Sequence, residues 1–299
     1  MAIERHDGNE PAVDSGAART HGGEHPAWPC SERSAGDRPI PEERRSRSEL
    51  HAALRATDTG TDSPPRPVNR DAPRTTPDGA WEWKGLRLKP DANRVADWEL
   101  SARRSAEGRG DGGKYGDRGI TPAMRRVEAK LDHGTLVPDT EKFALKTPAR
   151  FKEKLAKMIT RRPDSSASEL ANEIYDGIRY TFLFDAHHYT DGVKGACAIL
   201  TRDRYELVTL ANRWDGEEYK GINSRWLDIR SGQFFEVQFH TPESWDAKQK
   251  THDAYEKIDN PVTPVGEVET LRVFQRAVTG SIKVPDRWKE IDEYRKPGS

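Results

Sequence analysis

Large apolar side chains are nearly missing from the first 79 residues of this chain. That stretch contains only Met1, Ile3, Val13, Trp28, Ile40, Leu50, Leu54 and Val68, and ten of the 20 prolines lie between Pro11 and Pro77. Such a segment cannot bury enough surface to offset the entropy of ordering it. A length of 299 residues suggests two domains, but the apolar distribution predicts a different organisation. It reads as a disordered Pro/Arg/Ser-rich tail over 1–79, a weak helix and a flexible Gly-rich loop over 80–120, a folded domain over 121–285, and a C-terminal helix and tail over 286–299. Hydrophobic and charged residues each make up 33% of the chain. Ordinary globular chains carry about 45–50% apolar and about 25% charged residues, so the tail dilutes an otherwise normal core.

Several classes are excluded at once. No apolar run approaches the roughly 18–20 residues a membrane span needs, and the charged start MAIERHDGNE has no apolar segment behind it. A cytoplasmic location is expected, with export as a secreted enzyme or delivered toxin as the alternative. Cys30 lies in the tail and Cys197 in the apolar run GACAIL, so no disulfide framework is expected. The histidines His187, His188, His240 and His252 lack zinc-site spacing, and no thiols are available to complete a site. No phosphate-binding G-x-x-x-x-G-K-[ST] loop and no G-x-G-x-x-G turn occurs. A net charge of -1 means that any electrostatic site must be local.

The pattern becomes regular past residue 120. Thr121-Pro122, Thr147-Pro148, Thr241-Pro242 and Thr263-Pro264 are helix-start signals. They predict helices over 122–132, 148–162, 242–257 and 264–279. Val95, Trp98 and Leu100 suggest a weak helix over about 91–107, and further helices are read over 165–174, 190–201 and from Pro285 to Arg295. Strands are predicted over 178–184 and 204–212, followed by a hairpin of NSRWLDIR and QFFEVQFH. The order is that of an α/β (α+β) layer on a mixed sheet of about five strands flanked by helices.

Four local features could carry chemistry. Alternation along FFEVQFHT puts Phe235, Val237 and Phe239 on one face and Glu236, Gln238 and His240 on the other. That second face meets either water or a cleft. Asp176 stands at the start of the strand carrying Arg179; it is either a turn residue or, with Glu236 opposite, a ligand for Mg²⁺. Arg150, Lys154, Lys157 and Arg161 share one side of a helix, and 146–162 holds seven basic residues against the single acid Glu153. The stripe is either a solvated face or a triphosphate site. Trp245, Lys248, His252 and Tyr255 share a side of the 242–257 helix, as a packed aromatic face or as a polar wall behind Glu236.

Taken in order, these pieces resemble the synthetase domain of the RelA/SpoT alarmone family over about residues 140–260. They are the basic segment K-x-x-x-R-x-K-x-K-x-x-K (146–157), the Asp-strand DGIRYTF (176–182), the tyrosine loop YKGIN (219–223), the strand EVQFHT (236–241), and the following helix with His252 and Tyr255. The forms look most similar to actinobacterial nucleotide 3′-pyrophosphokinases and alarmone-making toxins. The resemblance implies a nucleotidyltransferase-like synthetase fold. It also implies transfer of pyrophosphate from ATP to the 3′-hydroxyl of a purine nucleotide, giving (p)ppGpp or (p)ppApp plus AMP. It implies Asp176 and Glu236 as Mg²⁺ ligands, with Glu236 also taking the hydroxyl proton. Lys146, Arg150, Lys154, Lys157 and Arg179 would bind ATP. Tyr219 would stack on the acceptor base, with Lys220, Asn223, Gln238 and His240 around the acceptor, and Lys248, His252 and Tyr255 in support. Asn223 stands where the family often has His, and His240 where it often has Arg, so an adenine or broad purine acceptor is expected beside guanine. The upstream His-Asp hydrolase of bifunctional members has no counterpart here, so synthesis alone is expected. Two other readings stay open: a toxin that pyrophosphorylates the 3′-CCA end of tRNA, and a catalytically dead nucleotide sensor.

Overall fold

The computed structural model describes residues 72–108, 116–260 and 263–298. Three short antiparallel strands come first: β1 (Arg74–Thr75), β2 (Trp81–Trp83) and β3 (Leu86–Leu88). Helix α1 (Pro90–Glu107) and helix α2 (Ile120–Lys130) follow, then β4 (Thr135–Leu136) and the single-turn α3 (Thr140–Phe143). Next are α4 (Pro148–Arg161), α5 (Ala167–Asn172), β5 (Arg179–Leu183) and α6 (Tyr189–Arg202). The chain then runs through β6 (Tyr205–Asn212), β7 (Ile222–Asp228), β8 (Gln233–His240), α7 (Pro242–Ile258), α8 (Val265–Thr279) and β9 (Tyr294–Arg295).

The main sheet has six strands in the order β4-β5-β8-β7-β6-β9. Its β5–β8 pairing is parallel and the others are antiparallel, so the mixed α+β reading holds with one strand more than expected. The alternation of β8 sets the layering. Phe235, Val237 and Phe239 are all 0% exposed and join Tyr180, Phe182, Ile222 and Trp226 in one buried face. Phe182, Phe184 and Phe239 pack their rings 6.2–6.4 Å apart, and Tyr189 of α6 donates its hydroxyl proton to the carbonyl of Phe239 (2.7 Å). The opposite face of β5, β8 and β7 is left for polar residues, with α7 beginning directly where β8 ends.

A second core lies under α4. Its apolar residues Phe151, Leu155 and Ala156 bury with Leu100 and Ala96 of α1, Leu170, Ala171 and Ile174, and Trp81 and Leu88 of the small sheet. Burying this side aims the basic side of α4 the other way. Thr147 caps the helix by accepting from the amide of Arg150, with Pro148 in its first turn.

Four expectations change. The tail predicted to reach residue 79 ends earlier, because Arg74 and Thr75 pair with Glu82 and Trp81; residues 1–71 lie outside the described residues, as does 109–115 of the expected loop. The helix at 90–107 is not weak. It is 18 residues long and buries the ion pair Glu99–Arg103, whose Arg103 also donates to the Ala171 carbonyl at 2.9 Å. Trp98, taken as part of its apolar side, is instead 65% exposed. The C-terminal helix is absent: Trp288–Glu290 forms one 3₁₀ turn and Tyr294–Arg295 pairs with β6. Asn212 explains this, because its side-chain amide donates to the carbonyls of Trp288 and Ile291 and holds that backbone outside a helical ladder. Among the described residues no helix is long and apolar enough to cross a membrane.

Phe239 joins the ring cluster, so Phe239→Ala should cost about 3–5 kcal/mol of stability. Denaturant unfolding should show a lower midpoint at an unchanged slope.

Candidate active site

Asp176 occupies a 3₁₀ turn, Tyr175–Gly177, immediately before β5. The segment 144–146 pairs with this turn: the Lys146 amide donates to the Gly177 carbonyl (2.9 Å) and the Arg179 amide to the Ala144 carbonyl (2.8 Å). Lys146 is thereby delivered beside Asp176, with its ammonium 3.1 Å from one carboxylate oxygen. Lys154 of α4 donates to the other oxygen at 2.6 Å. Burial alone would raise the Asp176 pKa, but Lys146 and Lys154, with Arg179 behind them, hold the carboxyl well below the usual range. The group is a fixed anion between two cations.

Register then brings Glu236 to the same place. Arg179 of β5 and Arg225 of β7 are its two cross-strand partners. Arg225 lies 4.6 Å from the Tyr175 ring centroid, which props it along the sheet. Arg179 makes no ion pair within 4 Å among the described residues, yet its charge bears on Asp176, Tyr219, His240 and Lys248. Asp176 and Glu236 both act electrostatically on Lys248 and Tyr255, so both carboxylates lie within electrostatic reach of the same stretch of α7.

Beside Glu236, Gln238 donates its amide N–H to Glu236 Oε1 and accepts from the Lys248 ammonium. Lys248 also sits 4.5 Å from the Trp245 ring centroid. Burial, then Arg179, push its pKa down to about 7 against the pull of Glu236 and Asp176. The α7 N-terminus that carries these residues is fixed by a capping box, in which Thr241 and Ser244 bond each other's backbone amides.

His240 is fully buried at the end of β8. Its Nδ1 lies 2.9 Å from Ser244 Oγ and its Nε2 2.9 Å from the Tyr219 hydroxyl. Tyr219 donates to Asn223 Oδ1 at 2.7 Å, which leaves His240 Nε2 as the N–H donor to the phenol oxygen. Burial, with Lys248 and Arg179 nearby, keeps His240 well below its ordinary pKa and therefore neutral. Burial and Glu236 raise Tyr219 well above its own. Gly221 permits the close approach of this loop. Its φ is +146°, and a Cβ there would stand 2.8 Å from His240 Cε1.

The basic stripe is neither an open solvated face nor a free phosphate cradle. Arg150 pairs with Glu153 (3.1 Å) and Glu256 (3.0 Å), Lys157 with Asp259 (3.4 Å), and Arg161 with Asp259 (3.0 Å). Glu153, the single acid of the segment, is buried and receives Lys84, Arg150 and Lys157. Lys146, Lys154, Arg179, Gln238 and Lys248 thus gather around Asp176 and Glu236, and Tyr219, Asn223 and His240 form a neutral cluster beside them. Lys220 is held elsewhere by the Trp214 carbonyl (2.9 Å). His252 is half-exposed and binds Glu256 (3.2 Å). Tyr255 is 59% exposed. Sequence reasoning missed Arg225, although its two-residue spacing from Asn223 on β7 was visible. It also missed Glu256 and Asp259, which no local spacing connects to α4.

The donor set suits a hard cation. Asp176 and Glu236 are hard oxygen donors of the kind Mg²⁺ takes when water and phosphate oxygens supply the rest. Among the described residues no cluster of three His, Cys, Asp or Glu could hold a metal by itself.

Hydrogen bonding from His252, and then Arg150, depress Glu256 to about 2. A depressed carboxylate contributes stability above its ordinary pKa, near 4.5, that is lost as pH falls toward 2, because the unfolded chain binds the proton first. Glu256→Gln should flatten this part of the acid-unfolding curve, measured as stability against pH between about 5 and 2.

No family model matches the chain, and no curated protein matches it. Similar solved structures exist. A GTP pyrophosphokinase family protein from Streptococcus pneumoniae is 14% identical, with a TM-score of 0.39 over 64% of this chain and 90% of that one. Small alarmone synthetase 1 from Bacillus subtilis, bound to its product pppGpp, is 14% identical with a TM-score of 0.40 over 62% of this chain and 92% of that one. Small alarmone synthetase 2 from the same organism is 11% identical, with a TM-score of 0.36 over 64% and 91%. At these identities and TM-scores the functional argument rests on the residues of the site.

Proposed function

We propose that this chain transfers pyrophosphate from ATP to the 3′-hydroxyl of a purine nucleotide, forming (p)ppApp or (p)ppGpp and releasing AMP. One observation carries the reading. Asp176 is held between Lys146 and Lys154, and Glu236 stands in register with Arg179 and accepts from Gln238, which Lys248 engages, next to the neutral Tyr219–Asn223–His240 cluster. A cationic half beside a neutral aromatic half suits a polyphosphate donor and a purine acceptor.

In the proposed reaction the acceptor 3′-oxygen attacks the β-phosphorus of ATP. The bond from that phosphorus to the oxygen bridging it to the α-phosphate breaks, and AMP leaves. Glu236 accepts the hydroxyl proton through the oxygen that Gln238 does not occupy. Lys146, Lys154 and Arg179 neutralise charge on the transferred phosphates and hold them in line. Asp176 and Glu236 would hold Mg²⁺, which when bound neutralises further phosphate charge and orients the phosphates. No side chain is needed as a covalent nucleophile. Tyr219 keeps its proton and presents its ring to the acceptor base, and the neutral His240 fixes its hydroxyl. The neutral cluster offers no charge with which to demand guanine, so adenine nucleotides are included among the acceptors.

With Mg²⁺, ATP and AMP, ADP, GDP or GTP, the protein should yield AMP and a 3′-pyrophosphorylated product identifiable by mass spectrometry. Glu236→Gln should lower turnover by roughly 100-fold or more while ATP still binds. Lys154→Ala should raise the KM for ATP by roughly tenfold. Product on labelled bulk tRNA with none on free nucleotides would replace the acceptor. Absence of product on both, with nucleotide binding unaffected by Glu236→Gln, would leave a nucleotide-binding module instead of an enzyme.

A further inference from the structure

We propose that Lys248 is a positioning residue for Glu236, acting through the side-chain amide of Gln238; this rests on the transfer reaction proposed above.

The inference comes from donor and acceptor inventory. Gln238 is 5% exposed and lies mid-sheet, in register with Thr181 on one side and Asn223 on the other. Its amide has two chemically different ends, and in a buried site each end must find its partner. Left with Glu236 alone, the amide would gain one hydrogen bond and leave its carbonyl unpaired. Lys248 completes it. Its ammonium donates to Gln238 Oε1, and Gln238 Nε2 donates to Glu236 Oε1. An ammonium can only donate and a carboxylate can only accept. A flipped amide would therefore face N–H toward an ammonium and a carbonyl toward a carboxylate, unfavourable at both ends. The order Lys248, Gln238, Glu236 admits one sense only.

That sense matters to the carboxylate. The terminal torsion of a glutamate is broad and weakly restrained. A donor fixed on Oε1 removes that freedom and leaves Oε2 as the oxygen to meet a hydroxyl. The interposed amide has a second consequence. A direct ion pair would stabilise the carboxylate and weaken it as a proton acceptor. Among the described residues Lys248 has no carboxylate within 4 Å, so its charge reaches Glu236 at a distance while the neutral amide does the orienting. The ammonium is itself held in place. It lies over the Trp245 ring (4.5 Å), Trp245 packs edge-on to His240 (5.8 Å), and His240 is pinned by Ser244 of the capping box (2.9 Å). The chain of contacts runs from the helix start to the carboxylate without a loose member.

The test compares wild type, Lys248→Met, Lys248→Arg and Gln238→Leu, each checked for thermal unfolding and assayed with saturating Mg²⁺ below pH of about 7, where Lys248 keeps its charge. Lys248→Met should lose roughly 10–100-fold in kcat, with the KM values for ATP and acceptor moving less than about threefold. Lys248→Arg, a donor-only cation, should restore most of the loss. Independently of turnover, the side-chain NH₂ resonances of Gln238, assigned by their loss in Gln238→Leu, should be dispersed in wild type and Lys248→Arg. In Lys248→Met they should move toward free-glutamine positions. A wild-type kcat in Lys248→Met overturns the proposal. So does a loss confined to the KM for ATP, which would make Lys248 a phosphate contact, or a Gln238 resonance pair unmoved in Lys248→Met. If wild type itself gives no product, the transfer reaction fails as a reading, and the Gln238 resonances still decide for or against the hydrogen-bonded relay.

Discussion

The ion triad of Lys146, Asp176 and Lys154 is the interaction on which the rest of this site depends. It joins three separate pieces of chain: the segment before α4, α4 itself, and the turn that starts β5. Taking a carboxylate out of water is unfavourable unless charge and hydrogen bonds replace the solvent, and here two ammonium groups do so. The same triad leaves an imbalance. Among the described residues Lys146 and Lys154 pair with Asp176 while Arg179 and Lys248 have no carboxylate within 4 Å, so positive charge is in excess there and attracts anions. The excess is local, since the whole chain carries a formal charge of -1.

The rest of the basic helix is balanced differently. Glu153, Glu256 and Asp259 take up Arg150, Lys157 and Arg161. The pairs with Glu256 and Asp259 tie α4 to the C-terminal end of α7, while the capping box fixes the other end of α7 where β8 ends. The two helices therefore frame the polar face of the sheet from both sides. A triphosphate reaching beyond Lys154 toward Arg150 or Lys157 must compete with carboxylates already in place, so the cations nearest Asp176 are the ones with charge to spare.

How much of this was legible in the sequence depended on whether the cause was local. The two faces of β8 follow from a period of two, and Phe235, Val237 and Phe239 are buried as that period requires. Two of the four threonine-proline helix starts act as read, with Thr147 and Thr241 capping their helices, whereas α2 already begins at Ile120 behind Gly119 and α8 begins behind Pro264 without a side-chain cap. Non-local causes were invisible. Arg150 and Glu256 are 106 residues apart, and no spacing rule joins them. The C-terminal segment read as a helix because Pro285 and the charged residues after it suit one, yet a single buried asparagine, Asn212, claims two of its carbonyls. Trp98 misled for the opposite reason: it fits a helical apolar stripe by spacing, while the side of α1 that meets α4 and α5 is lined by Ala92, Ala96 and Leu100.

His240 connects the two halves of the site through its neutrality. Complete burial is the main reason for His240 to stay unprotonated, and the neighbouring charges of Lys248 and Arg179 add to it. It therefore cannot serve as a phosphate-binding cation at working pH. What it can do is donate one N–H with fixed direction. Ser244 Oγ faces one ring nitrogen and the Tyr219 hydroxyl the other, and the Tyr219 proton is already given to Asn223. The tautomer with hydrogen on Nε2 satisfies both contacts, with Ser244 donating to Nδ1. Phenol, amide and imidazole are thus locked as one neutral unit. The positive charge of Lys248 and Arg179 that adds to burial in keeping His240 neutral also makes the adjoining space receptive to an anion, so the two halves of the site are coupled.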